Sequence, residues 1–389
     1  LRAVLAAGLL CATPAVAGVA LVSARAAAPI SARGTFVSLL RLCRHSSPFD
    51  TLLTGCRHGH YVEDLEQFST ADGRRIGAVT PVPSDETNVQ TPAGTSDGTV
   101  LLTYTVGPRC LDHGKPLKKV TMECAPSPNS CINTVMAVSP SHPTPTRLFA
   151  VSTAQIMGVA VPNPSGTEVA YSATPCVGTR PAPALYIRNL KTGATRALLT
   201  TSYCSSIGRP SWNAAGTEIV LRYQSVSARL QPAPVGSSGP ACSDTRASAW
   251  NLEVERTAIT GRPATLLPAP HHCSLDAAAF DPGGLLAAEG CTPQHHSMSS
   301  TGATRGAVEL VQYDSRGNVT TTIPLPYRGL DPEQTLIANE PGSNRLLITQ
   351  DQPNGLVARN DDHIYEMSGT HLRQIVENSW GSDFMAVPW

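Results

Sequence analysis

The sequence predicts an all-β chain, a six-bladed β-propeller of four-stranded antiparallel blades whose ring is closed by a C-terminal strand. Three observations predict it. One hairpin built on a Gly turn recurs along the chain, a second hairpin type alternates with it, and the composition favours turns over long helices. Among 389 residues, Gly and Pro number 31 and 33, together above the ~12% of an average chain. Charged residues are 15%, well under the typical ~25%, and 41% apolar residues supply a core. Lys+Arg and Asp+Glu balance at 29 each. No surplus of cations exists to neutralise phosphates, so a nucleic-acid partner is disfavoured. The absence of a heptad, a collagen period or a charge block argues against those fibrous and disordered classes.

Residues 1–28 stand apart from the repeats. Val4 to Val22 carries no charge, Arg2 precedes it, and small residues lead to Ala28. That is the pattern of a secretory signal peptide, cleaved near Ala26 or Ala28. The run is also long enough to cross a bilayer once, so a retained membrane anchor is the alternative. Cys11 follows Leu10, where lipoprotein processing takes a small residue. Ten cysteines lie beyond the leader, and an even set behind an export signal reads as disulfides. Zinc is the rival reading, but no Cys-x-x-Cys spacing occurs.

Residues 29–389 read as one domain of six units, roughly 35–80, 91–152, 155–200, 206–268, 275–326 and 333–377. In the first unit an early strand, Thr35 to Leu42, precedes a hairpin from Leu65 to Val79 that turns at Asp72-Gly73. The second opens with Thr95-Ser-Asp-Gly-Thr-Val-Leu-Leu-Thr-Tyr104. Its second hairpin, Val135 to Val151, has a turn lengthened by Pro140, Pro143 and Pro145. The third carries Asn163-Pro-Ser-Gly-Thr-Glu-Val-Ala-Tyr-Ser172 and then Leu185 to Leu199. The fourth carries Asn213-Ala-Ala-Gly-Thr-Glu-Ile-Val-Leu-Arg222, a long Pro, Gly and Ser-rich insertion, and Leu252 to Leu266. Weaker copies follow at Asp281 to Ala288 with Val308 to Ile323, and at Glu340 to Thr349 with Ile364 to Ile375. Alternating apolar residues around a Gly turn are the signature of a half-buried hairpin. Two hairpins per unit make a four-stranded blade, and such units repeated radially make a propeller. The tail at 383–388 is one more strand, able to complete the first unit and remove the open edge. An open stack of sheets or two sandwiches is the competing architecture.

The Asn163 and Asn213 segments resemble the repeat of TolB-type six-bladed propellers, approximately Ser-Pro-Asp-Gly-Lys-x-Ile-Ala-Phe. The resemblance covers nearly all of 35–389. The Asp of that repeat stands before Gly at Asp97 alone. What the resemblance implies is an exported bacterial propeller with a habit of protein binding. It carries over no catalytic residue, because the matched positions belong to turns and core.

Few residues recommend themselves as a site. Gly94-Thr-Ser-Asp-Gly98 matches the nucleophile-elbow pattern, but a strand follows it where an elbow needs a helix, so it reads as a repeat turn. His58 and His60, two apart, would share one face of a strand and could take a divalent metal; an exposed polar loop is the plainer reading. His271 and His272 pair with His295 and His296 about one hairpin. Just inside them, Cys273 and Cys291 are equidistant from Pro282, so they face each other and form a candidate disulfide. Four clustered imidazoles would make a metal site or a pH-sensitive patch, though solvated loop histidines are commoner. By analogy Cys204 pairs with Cys242, and by proximity Cys43 with Cys56. Cys110, Cys124, Cys131 and Cys176 leave three pairings open. No motif calls for a cofactor. The function that fits best is a monomeric, exported, non-catalytic binding module for a protein or cell-envelope ligand. A propeller hydrolase or lyase acting on a glycan or peptide is the alternative, since fold does not decide this.

Overall fold

A computed structural model describes residues 34–44, 60–82, 88–95, 97–106, 111–112, 115–116, 129–139, 141–176, 182–201, 206–226, 250–258, 263–268, 273–281, 284–291, 307–326, 334–339, 345–351, 353–354, 359–360, 362–378 and 384–388. They form an all-β propeller of small antiparallel sheets. Strands β1 (Thr35–Arg44), β2 (His60–Ser69) and β3 (Arg75–Val82) begin the first sheet. The second has β4 (Asn88–Gly94) and β5 (Val100–Val106), then, past a separate ribbon of β6 (Leu111–Asp112) and β7 (Lys115–Pro116), β8 (Ile132–Ser139) and β9 (His142–Ala150). In the third, β10 (Gln155–Met157) and β11 (Val161–Pro162) share one side of β12 (Glu168–Pro175), followed by β13 (Ala184–Asn189) and β14 (Thr195–Thr200). The fourth repeats this with β15 (Ser206–Ile207), β16 (Ser211–Trp212), β17 (Glu218–Val226), β18 (Trp250–Ala258) and β19 (Pro263–Pro268). The next is β20 (Cys273–Asp281), β21 (Gly284–Cys291), β22 (Ala307–Tyr313) and β23 (Val319–Pro324). The last has β24 (Gln334–Asn339) and β25 (Arg345–Asp351), a ribbon of β26 (Pro353–Asn354) and β27 (Arg359–Asn360), then β28 (Asp362–Ser368) and β29 (His371–Asn378). Strand β30 (Phe384–Pro388) returns to pair antiparallel with β1, placing Val387 opposite Val37.

The recurring turn has a specific chemistry. The Asn163 Oδ1 accepts from the backbone N–H of Thr167 at 2.9 Å and of Glu168 at 3.1 Å. Asn213 does the same for Thr217 and Glu218, at 2.8 and 3.1 Å. Three residues on, Gly166 and Gly216 take φ of +67° and +68°, a region that glycine enters without a Cβ penalty. Gly98 is the same kind of turn, at φ +80° before strand β5, so it is no nucleophile elbow.

Burial explains why the strand after this turn is the legible one. Every residue from Val100 to Thr105 is buried, as is every residue from Leu285 to Glu289 and from Leu346 to Gln350. A strand covered on both faces reads as a continuous apolar run rather than an alternation. The fourth strands are different. β23 and β14 are largely exposed, as outer edges are. This corrects the reading of the second hairpin in 135–151: its register closes tightly at Ser139 opposite His142, and Pro143 and Pro145 lie within β9. Pro is tolerated there because an edge strand has N–H groups that need no ladder partner.

The sheets pack face to face. Leu101, Val135 and Phe149 meet Met157, Val169 and Tyr171. Leu185 and Ile187 meet Trp212 and Ile219, and Val220 meets Ala278 and Leu285. Leu286 and Leu310 meet Ile337 and Ile348. Leu347 and Ile364 meet Phe36 and Phe68, and Val37 and Leu65 meet Val100 and Leu102. One strand of each sheet lies innermost: β30 is beside β4, β4 beside β11, β11 beside β16, β16 beside β20, β20 beside β24, and β24 beside β30.

Candidate functional site

Antiparallel alternation gives the molecule two rims. The tight Gly turns at Gly98, Gly166, Gly216, Gly193, Gly317 and Gly369 lie on one. The other receives the end of the second strand and the start of the third in each sheet. Cys43, Cys131, Cys176, Cys273 and Cys291, the cysteines within the described residues, all stand at that second rim.

There Cys131, one residue before β8, is disulfide-bonded to Cys176, one residue after β12, with 5.9 Å between their Cα atoms. The bond joins neighbouring sheets. Polar side chains reinforce the same seam. Met157 N donates to Asn133 Oδ1 at 3.0 Å while Asn133 Nδ2 donates to the Gln155 carbonyl, so this buried amide acts as one more rung of a ladder. Thr105 Oγ1 donates to Met157 O at 2.9 Å, and Ala160 N donates to Thr103 Oγ1 at 3.0 Å. Further round, Trp212 Nε1 donates to Val161 O at 3.0 Å. Asn339 Nδ2 donates to Phe280 O at 2.8 Å, linking β24 to β20.

Among the described residues, burial shifts two carboxyls and one guanidinium. Glu66 pairs with Arg75, yet burial outweighs that cation and holds its carboxyl above the ordinary range. Glu289, 1% exposed, accepts from the Tyr313 hydroxyl. Burial raises its pKa, the Tyr313 hydrogen bond opposes, and Glu309 adds a smaller push upward. Burial and this carboxylate in turn push the Tyr313 hydroxyl upward. Tyr313 packs among Val220, Leu285 and Val311.

Arg209 is the third. It sits between β15 and β16, in the innermost part of its sheet. Burial lowers its pKa to about 10. As a residue it keeps partial exposure, yet its Nη1 is out of contact with solvent and lacks a hydrogen-bond partner. Among the described residues it has no ion pair. Nothing in the motif Gly208-Arg209-Pro210 marks it in sequence. Its signal is positional: the innermost strands elsewhere carry small, apolar or uncharged polar residues apart from Asp276 and Asp281, and Arg209 is their only cation.

The sequence-derived candidates fare unevenly. Strand register sets Cys273 opposite Cys291 and Cys43 opposite Tyr61 in the backbone. His60 opens β2 opposite Arg44. His58, His271, His272, His295, His296, Cys56, Cys204, Cys242, Cys110 and Cys124 lie outside the described residues, as does the leader. Among the described residues no group of three His, Cys, Asp or Glu is arranged to hold a metal, and no helix is long and apolar enough to cross a membrane.

The chain matches no protein-family model and no curated protein sequence. Among solved structures it is similar to TolB from Acinetobacter baumannii, at 12% identity over 91% of this chain and 66% of that one, with a TM-score of 0.50. It is also similar to an acylaminoacyl peptidase of Pyrococcus horikoshii, at 11% identity over 74% of this chain and 39% of that one, TM-score 0.43. An oligogalacturonate lyase in complex with manganese gives 11% identity over 82% and 73%, TM-score 0.44. The chain thus spans just under two thirds of TolB and well under half of the peptidase. At such identity the TolB likeness speaks for the propeller fold alone.

Proposed function

We propose that the chain is an extracytoplasmic, six-bladed propeller, closed by β30 on β1, that serves as a non-catalytic binding module for a protein or cell-envelope ligand. The observation that carries this reading is the inner ring. Six sheets of four or five strands have innermost strands that neighbour one another in contact, and apolar clusters fill the interfaces between them, several reinforced by side-chain-to-backbone bonds and one by a disulfide. Such a frame is stiff, and a stiff frame that offers one rim for ligand contact loses little entropy on binding. The sheet limits support a division into units at about 35–82, 88–150, 155–200, 206–268, 273–324 and 334–378. The Cys131–Cys176 bond supports an oxidising compartment. The register supports Cys273–Cys291.

The test takes the oxidised chain from residue 29 and offers it purified cell-wall sacculi, envelope membranes and soluble glycan and peptide substrates. Saturable retention on one envelope fraction with every substrate recovered intact is the expected result. Turnover of a glycan or peptide would replace this reading with a hydrolase or lyase.

A further inference from the structure

We propose that Arg209 is the recognition point for a single carboxylate on the ligand, taken up among the innermost strands. This rests on the binding-module reading and names the chemistry of what is bound. A guanidinium presents its N–H donors in a planar fork and has no acceptor of its own. In folded proteins buried polar groups find partners, and a buried cation without one is costly. Arg209 departs from both in part: its Nη1 is enclosed and unbonded while the rest of the side chain keeps partial exposure, and no carboxylate among the described residues pairs with it. Burial lowers its pKa only to about 10, so it stays charged at neutral pH.

Ser211 Oγ, the side-chain acceptor beside it in sequence, is committed elsewhere. Ser211 Oγ accepts from Phe280 N at 3.4 Å, with Asn339 Nδ2 also at 3.4 Å. Gly158 and Ala160 on the preceding sheet and Ala278 on the following one are small. The fork geometry suits carboxylate and phosphate alike. Charge decides between them. These strands carry one cation, Arg209, and already two carboxylates, Asp276 and Asp281, so a monoanion is tolerated better than a phosphate dianion.

The experiment uses the full oxidised chain at constant ionic strength, with thermal unfolding and calorimetric titration as readouts. Sodium acetate, neutral acetamide and inorganic phosphate are the first probes. N-acetyl-alanyl-alanine and glucuronate then tell a peptide terminus from a sugar acid. The expected result is a saturable rise in Tm with acetate, none with acetamide and a weaker one with phosphate. Arg209→Met should abolish the acetate response and, by removing an unpaired charge, raise the Tm in plain buffer. Arg209→Lys should weaken acetate binding about tenfold. An acetate response that survives in Arg209→Met, its absence in the wild type, or phosphate binding as tight as acetate overturns the proposal. Should Arg209→Met fail to fold, the acetate and acetamide comparison and Arg209→Lys decide. Envelope retention unchanged in Arg209→Met would remove Arg209 from the site and leave the binding module standing; loss of retention by the wild type would remove the module itself.

Discussion

Asn133 on β8 holds Met157 on β10 through its side-chain amide, with Met157 N donating to Asn133 Oδ1 at 3.0 Å. The same amide donates to Gln155 O, so one side chain replaces a stretch of backbone pairing between two sheets.

Asn133→Ala leaves the Met157 N–H and the Gln155 carbonyl without these partners in a buried seam. Each unpaired group costs about 1–3 kcal/mol. The expected loss is about 2–4 kcal/mol, read as a lower urea midpoint at unchanged slope. An unchanged midpoint would mean that water serves the seam equally well.

The disulfide next to it acts on the unfolded chain. Closing a loop across the 45 residues between Cys131 and Cys176 stabilises by about 4 kcal/mol in the chain-entropy picture. Replacing both cysteines with Ser should lower the thermal midpoint by several degrees, and a non-reduced peptide map should show 131 joined to 176. A map joining Cys131 to Cys124 would contradict the seam.

Two glycines with the same backbone separate strain from contact. Gly166 has φ +67° and open space about its Cβ position, whereas a Cβ on Gly73, at φ +68°, would stand 2.3 Å from the Ile375 carbonyl oxygen. Gly166→Ala should cost about 1 kcal/mol from backbone strain. Gly73→Ala should cost about 3 kcal/mol, since the first and last sheets must also move apart. Equal losses would show that those sheets do not touch there.

The fold was legible where one residue type meets one backbone demand. Asn163 and Asn213 with their turn glycines, and the doubly covered strands after them, announced the repeat. What sequence did not show depends on neighbours far along the chain. Cys131 and Cys176 belong to different units, so spacing left their pairing open. The Asn133 amide looks like any strand Asn until β10 is laid beside it. Pro143 and Pro145 read as turn residues because nothing local says that β9 is an edge. Arg209 was missed for the reverse reason: its oddity is a missing partner, and a missing partner has no sequence pattern.

Glu289 links burial to pH. Its folded pKa is raised above the ordinary 4.5, chiefly by burial, so the folded state holds the proton more firmly than the unfolded chain. Its contribution is most favourable below the unfolded value and is lost as pH rises through the folded one. Glu289→Gln keeps an acceptor for the Tyr313 hydroxyl and removes the charge. Urea midpoints between about pH 4 and 8 should fall less with rising pH in the variant than in the wild type. Parallel profiles would contradict the assignment.

Amide hydrogen exchange in β1 tests the closed ring most directly. In a closed ring β1 is an interior strand, flanked by β2 and by β30. Its amides should then exchange as slowly as those of β5 and far more slowly than those of the edge strand β9. A chain ending at residue 383 should lose that protection in β1 and in the adjoining β4 and β24. Exchange in intact β1 as fast as in β9, or no change on removing β30, would contradict a ring closed by the C-terminal strand.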